Sequence, residues 1–242
     1  MTTIGGLQPH PGPVAHSAVS TVAGCVLVAV VPIGLLHLVG PAGGPTAVDP
    51  IRHTLSDYVV APGGYALLGL SAVALAAAGM VVAAALARAG LPRPRRPTLL
   101  LVSWSAALVV VAVFPTNAPG TVPDLAATVH RYAGAWVFAA LPLVGWLIAR
   151  RARASASWAA SATGLAWWSG GAGLLSCAFL IAHLPVILGA PAYSLLGAVE
   201  RVLNAVLIVV LLVTARAARR AAARPPIPLT SRRVGIEIAE PA

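Results

Sequence analysis

The sequence predicts an all-α protein of the membrane: a polytopic bundle of six transmembrane helices with both termini cytoplasmic. Three observations carry that prediction. Of the 242 residues, 59% are hydrophobic and only 9% charged, with a mean hydropathy of +0.89; a soluble domain carries roughly 25% charged residues on its surface. The apolar residues come in runs of about 20, the length at which a helix crosses a hydrocarbon core. The basic residues, all arginine, are unevenly placed: thirteen of the sixteen fall in two inter-helix turns and the C-terminal tail. An arginine excess marks the cytoplasmic loops of a membrane protein, and six helices make that assignment self-consistent.

The elements follow in order. Residues 1–16, weakly polar and punctuated by Pro and Gly, predict a disordered N-terminal tail without the basic n-region of a signal peptide. The membrane domain then occupies 17–217. A first helix is expected over 17–39, with Pro32 inside it, which neighbouring helices can accommodate, and His37 near its end. A long loop over 40–64 holds Asp49–Tyr58, D-P-I-R-H-T-L-S-D-Y. Asp49 followed by Pro50 reads as a helix start, and Ile51, Leu55 and Tyr58 recur at helical spacing, so this stretch predicts a short helix on the end of the bundle. The second helix, 65–87, is rich in Ala and Gly and leads into a turn with Arg88, Arg93, Arg95 and Arg96. The third, 98–114, ends at P-T-N-A-P-G-T-V-P-D, whose Asp124 suits the N-terminus of the fourth, 125–149. His130 and Arg131 lie in that helix's second turn. Arg150, Arg151 and Arg153 follow. The fifth helix, 160–183, carries Ala162, Ala166 and Gly170 at a spacing that permits close packing. The sixth, 195–215, opens with Glu200 and Arg201, and 218–242 reads as a basic, disordered cytoplasmic tail. Cys25 and Cys177, within apolar runs and without metal or haem-attachment spacing, are expected as small buried residues.

The net charge of +10 does not indicate nucleic-acid binding, because the arginines sit in short clusters between apolar runs without interleaved aromatics or a recognised module. Membrane lipids are the expected surroundings; no protein partner or oligomeric state is legible. Di-haem ligation across the bilayer is not expected, because no expected helix offers a histidine at the arginine-rich side, although two of His37, His130 and His183 could hold one haem. The inner halves of the helices offer no ionisable path for transport.

The remaining polar residues sort to the other side, as Asp49, Arg52, His53, Asp57, Asp124, His130, Arg131, Glu200 and Arg201, with His37 and His183. Ionisable groups at mid-membrane cost roughly 2.5–3.5 kcal/mol each on insertion scales, so they persist by pairing, by facing water or by function. One reading is structural, an ion-pair network of Arg52, Arg131 and Arg201 with the outer acids. Another starts from spacing: on a helix, Asp49, His53 and Asp57 recur at i, i+4 and i+8. Carboxylate and imidazole aligned this way suit a divalent metal or a proton-transfer pair. His53, Asp57, His130 and His183 are the candidate metal ligands, and Ser56, Asp57 and His130 the candidate catalytic residues.

H-T-L-S-D-Y after the first helix, F-P-T-N before the fourth, V-H-R-Y-A-G opening the fourth and V-E-R opening the sixth together resemble a prokaryotic family of uncharacterised membrane proteins, domain of unknown function 998. The resemblance covers about Ser17–Ala217 and implies a six-helix membrane fold with no established activity. A looser resemblance is to the alkaline ceramidase and adiponectin-receptor type of membrane hydrolase, which implies a zinc site near one membrane face. Ser56, Asp57, His130 and His183 echo its inventory. The chain departs from it in having six helices rather than seven and Glu200–Arg201 where that type carries H-x-x-x-H. Two functions therefore stay open: a protein whose outer cluster is structural or binds a lipid headgroup or partner, and a metal-dependent hydrolase of a lipid-like substrate.

Overall fold

The computed structural model describes residues 14–39, 48–118, 121–188, 190 and 193–223. Among them are six α-helices, one 3₁₀ helix and no strand: α1 Val14–Val39, the 3₁₀ helix Leu55–Val60, α2 Gly64–Arg88, α3 Arg95–Val113, α4 Leu125–Ala152, α5 Ala159–Ile187 and α6 Leu196–Ala222. All six α-helices are long and apolar enough to cross a bilayer; the protein is a multi-pass membrane protein. The N-terminal tail up to residue 13 and the C-terminal tail from 224 lie outside the described residues. α1 begins inside the stretch expected as tail, and α6 runs past both 215 and the expected boundary at 217.

Each helix packs on the next in the chain, and α1 closes the ring against α6. α6 also touches α2 and α4. Its Leu203, Leu207, Val210, Leu211 and Thr214 are buried. Leu27, Val31, Leu35 and Leu38 of α1 are exposed, as suits a helix whose outward face meets acyl chains rather than water.

In lipid there is little hydrophobic drive between helices, and association rests on close packing and inter-helix hydrogen bonds. Both are present. Trp104 Nε1 donates to the Val137 carbonyl at 3.0 Å, tying α3 to α4, and Ser176 Oγ donates to the Phe138 carbonyl at 2.9 Å, tying α5 to α4. Small residues set the closest approaches. A Cβ on Gly79 would lie 2.7 Å from the Trp104 ring. One on Gly145 would overlap Ser169 Oγ and lie 3.2 Å from Val210, where α4, α5 and α6 meet. Of the stripe expected on α5, Ala162 is buried and Ala166 packs on the core, whereas Gly170 has open space at its Cβ. Close contact is made instead through Ser169, Ala172 and Ser176. Cys177 faces outward rather than into the core; an apolar run does not distinguish a lipid-facing position from a buried one. Gly145→Val should destabilise the protein by about 1–3 kcal/mol through overpacking, seen as a lower thermal midpoint in detergent, while Gly170→Val should leave the midpoint unchanged.

Candidate functional site

The helices alternate in direction, so the ends of α1, α3 and α5 and the starts of α2, α4 and α6 share one end of the bundle. This end is poor in arginine. Residues 48–63 fold across it. The stretch is not one helix. Asp49 and Pro50 start a single turn, closed by His53 N–H donating to the Asp49 carbonyl at 2.8 Å. Thr54 then turns extended, φ −70° and ψ 165°, and the 3₁₀ helix begins after it. Asp49, His53 and Asp57 consequently do not form one helical face. Asp57 is used locally instead: its Oδ2 accepts from Thr54 N at 2.7 Å and from Thr54 Oγ1 at 2.9 Å. A carboxylate in the first turn that bonds back to the cap residue satisfies an orphan donor, and that requirement stops the first turn from continuing.

The segment is packed down, not draped. Tyr58 and Thr54 are buried, and Val48, Tyr58 and Ala61 form a small core with Leu36 of α1. The start of α6 approaches the segment's backbone directly, because Gly197 has no side chain; a Cβ there would overlap the His53 carbonyl. Ala198 N donates to the Ile51 carbonyl at 2.9 Å across this contact.

Glu200 and Arg201 complete the attachment. Glu200, 6% exposed, accepts the Leu55 N–H on Oε2 at 2.6 Å. Arg201 donates from Nε to His37 Nε2 at 2.7 Å, and from Nη1 to the His53 carbonyl at 2.8 Å and its own helix's Gly197 carbonyl at 2.9 Å. Because His37 accepts on Nε2, its Nδ1 carries the proton and donates to the Ile33 carbonyl at 2.7 Å. The guanidinium also lies 5.7 Å from the centre of the Tyr58 ring, which stacks at 5.1 Å, tilted, on His37. Two adjacent charged residues thus hold two residues of the segment, His53 and Leu55, from one helix turn.

The expected ion-pair network is not how these charges are satisfied. Among the described residues the single guanidinium–carboxylate contact is Arg52 to Asp49, 3.6 Å and solvent-exposed; pairs of this kind contribute about 0–1 kcal/mol. The Ile51 N–H donated to Asp49 Oδ1, helped by Arg52, holds the Asp49 carboxyl below the usual carboxylate range. Asp124 caps α4, accepting from Ala127 N at 2.7 Å. Arg131 donates to Asn117 Oδ1 at 3.2 Å. Burying a charge against backbone groups rather than another ion fits the few acids at hand and the many free backbone groups of an irregular segment.

The histidines are dispersed. His53 Nδ1 accepts from Asp49 N at 2.9 Å, His130 Nδ1 bonds the Phe114 carbonyl at 2.7 Å, and His183 Nδ1 is buried without a partner. Asp57 lies within electrostatic range of His130, His183 and Glu200. Still, no group of three or more His, Cys, Asp or Glu among the described residues is placed to hold a metal ion. Ser56 Oγ shares a hydrogen bond with Thr54 Oγ1 at 3.0 Å rather than with a histidine. The cluster therefore divides into two bonded groups. Glu200, Arg201, His37, His53 and Leu55 join α6 and α1 to the segment; His130, Arg131, Phe114 and Asn117 join α4 to the end of α3.

Sequence reasoning missed Gly197, Asn117 and the acceptor role of His37. Gly197 had a legible signal, a glycine in the opening turn of a helix three residues before Glu200. Asn117 stood in the quoted F-P-T-N, but neither its partner nor that of His37 was legible, since they are 14 and 164 residues away.

No curated protein and no solved structure matches the chain. The motifs quoted above, V-H-R-Y-A-G with His130 and Arg131 and V-E-R with Glu200 and Arg201, prove to lie at the two bonded groups, and the family model described as "Protein of unknown function (DUF998)" matches residues 22–217: the chain belongs to that family.

Proposed function

We propose that the protein is a non-catalytic cell-membrane protein with both termini cytoplasmic, and that its outward end is a fixed polar platform for a lipid headgroup or protein partner. The observation that carries this reading is the attachment of Leu55 by Glu200 and of His53 by Arg201. Charges spent on backbone groups fix the shape of a segment, and a loop held in one shape is what recognition needs. Orientation is supported by the arginine distribution. The platform comprises the 48–63 segment with Arg52, Ser56 and Asp57, flanked by Asp124, His130 and Arg131. The hydrolase reading lacks a supporting contact among the described residues: Ser56 Oγ is bonded to Thr54 Oγ1 rather than to a histidine, and His130 Nδ1 is engaged by the Phe114 carbonyl.

Two measurements test the proposal. In a cysteine-free background, Ala118→Cys should be labelled by an impermeant maleimide on intact cells and Pro94→Cys only after permeabilisation; the reverse pattern would overturn the orientation. Detergent-purified protein should contain no stoichiometric zinc, and Asp57→Ala and His130→Ala should leave its metal content unchanged. Stoichiometric zinc lost in both variants, with thermal stability kept, would replace the platform by the hydrolase.

A further inference from the structure

The opposite end of the bundle carries a second constellation. The turn between α2 and α3 and the turn between α4 and α5 are docked on each other by Trp158, which is fully buried and donates its indole N–H to the Ala89 carbonyl at 3.0 Å. Leu91, Ala152 and Ala89 are buried around this contact. Docking the turns brings their arginines together. Arg93 and Arg96 both lie within electrostatic range of Arg151, and one terminal nitrogen of Arg151, Nη1, is buried with no hydrogen-bond partner. No described carboxylate is at this end: Asp49, Asp57, Asp124 and Glu200 are all at the other.

Four further features point the same way. α3 starts at Arg95 behind Pro94 with no side-chain cap, so its first N–H groups lack a capping acceptor. Two arginines occupy its first turn, where the helix dipole is positive and a basic side chain is disfavoured. Thr98 Oγ1, in that turn, is buried and unpartnered. Arg93 takes the left-handed backbone conformation, φ 50°, a strained choice for a residue other than glycine. A loop arginine excess is enough to orient a membrane protein, but it does not require arginines from two separate turns to converge, nor a buried guanidinium N–H and hydroxyl to be left without acceptors.

We infer that the docked turns form a binding site for a phosphate group, taken by Arg93, Arg96 and Arg151 with the Thr98 hydroxyl and the N-terminus of α3. Phosphate is the class that suits these donors. It offers several acceptor oxygens to guanidinium forks, and helix N-termini bind it through backbone N–H groups. The phosphate can come from the diester of an anionic lipid at the membrane surface or from a free ion, and the donors are the same.

The test uses the full chain in detergent, delipidated, with binding read by native mass spectrometry. The probes are dioleoylphosphatidylglycerol, dioleoylphosphatidylcholine and inorganic phosphate. Loss of one charge-assisted bond should weaken phosphatidylglycerol binding about tenfold in Arg151→Gln, and likewise in Arg96→Gln. Arg153→Gln and Arg220→Gln, which remove the same charge from the same end outside the cluster, should change it less than about twofold. Arg96 and Arg93 are exposed, so Arg96→Gln and Arg93→Gln keep the test valid if Arg151→Gln does not fold. Competition by inorganic phosphate would identify a site for the free ion, and binding of the lipid without such competition a headgroup site; either supports the inference. Equal losses in the cluster and control variants, or no preference for phosphatidylglycerol over phosphatidylcholine in the wild type together with no binding of inorganic phosphate, would overturn it.

Discussion

Gly197→Ala is expected to release the 48–63 segment from the bundle and to lower stability by about 3 kcal/mol, from overpacking and lost hydrogen bonds. The added methyl would occupy the position of the His53 carbonyl and sit 2.9 Å from Arg201 Nη1. That carbonyl cannot yield alone, because it also accepts from Arg201 and its chain neighbours are bonded to Glu200 and α6. Backbone must move, and the Ala198–Ile51 bond moves with it. For a domain of this size the loss corresponds to a thermal midpoint lower by roughly 6–12 °C. A second readout is specific to the segment. Arg52 lies on its exposed surface and is a trypsin site; cleavage after Arg52 should be slow in the wild type and rapid in Gly197→Ala. Wild-type midpoint and wild-type cleavage together would show that α6 and the segment are not in contact.

The second large effect is at Glu200 and Arg201, where the form of the substitution matters more than its charge. Glu200→Ala leaves the Leu55 N–H buried without an acceptor and should cost about 1–3 kcal/mol. Glu200→Gln keeps an acceptor oxygen and should recover most of that. Arg201→Ala removes bonds to His37 and His53 and the contact with Tyr58, for about 3 kcal/mol in all. Arg201→Lys should remain clearly destabilised, since one ammonium cannot reproduce a planar fork aimed at two partners. The double alanine variant discriminates between arrangements. An ion pair predicts recovery, because removing both charges leaves neither unpaired. Two separate attachments to one segment predict no recovery and a loss smaller than the sum of the singles, because a segment freed by one change gives the second less to lose. We expect the latter, from thermal midpoints of the four proteins; a double variant as stable as the wild type would restore the ion pair.

The membrane architecture was legible in the sequence because it rests on local quantities. A run of apolar residues is either long enough to cross the bilayer or it is not, and hydropathy reads that without knowledge of neighbours. The six spans, the kinship of the chain and the sorting of Asp57, His130, Arg131, Glu200 and Arg201 to one end follow from order along the chain. Asp124 as the cap of α4 was equally local, a carboxylate three residues before the N–H it accepts.

What each charge bonds to was decided only by the tertiary structure. Spacing offered Asp49, His53 and Asp57 as one helical face, yet Thr54 needed an acceptor for its N–H and took Asp57, which ended the turn at His53. Counting charges offered arginine–carboxylate pairs, yet the nearest acceptors to Arg201 were His37 on α1 and a carbonyl of the folded segment, partners 164 and 148 residues away. In lipid, Cys177 and Gly170 on the outside of α5 are as apolar as Ala162 and Ala172 inside it, so hydropathy carries no record of which face is buried. Only the packing of the helices, with Gly145 and Gly197 at the closest approaches, chose that face and brought the partners within hydrogen-bonding distance.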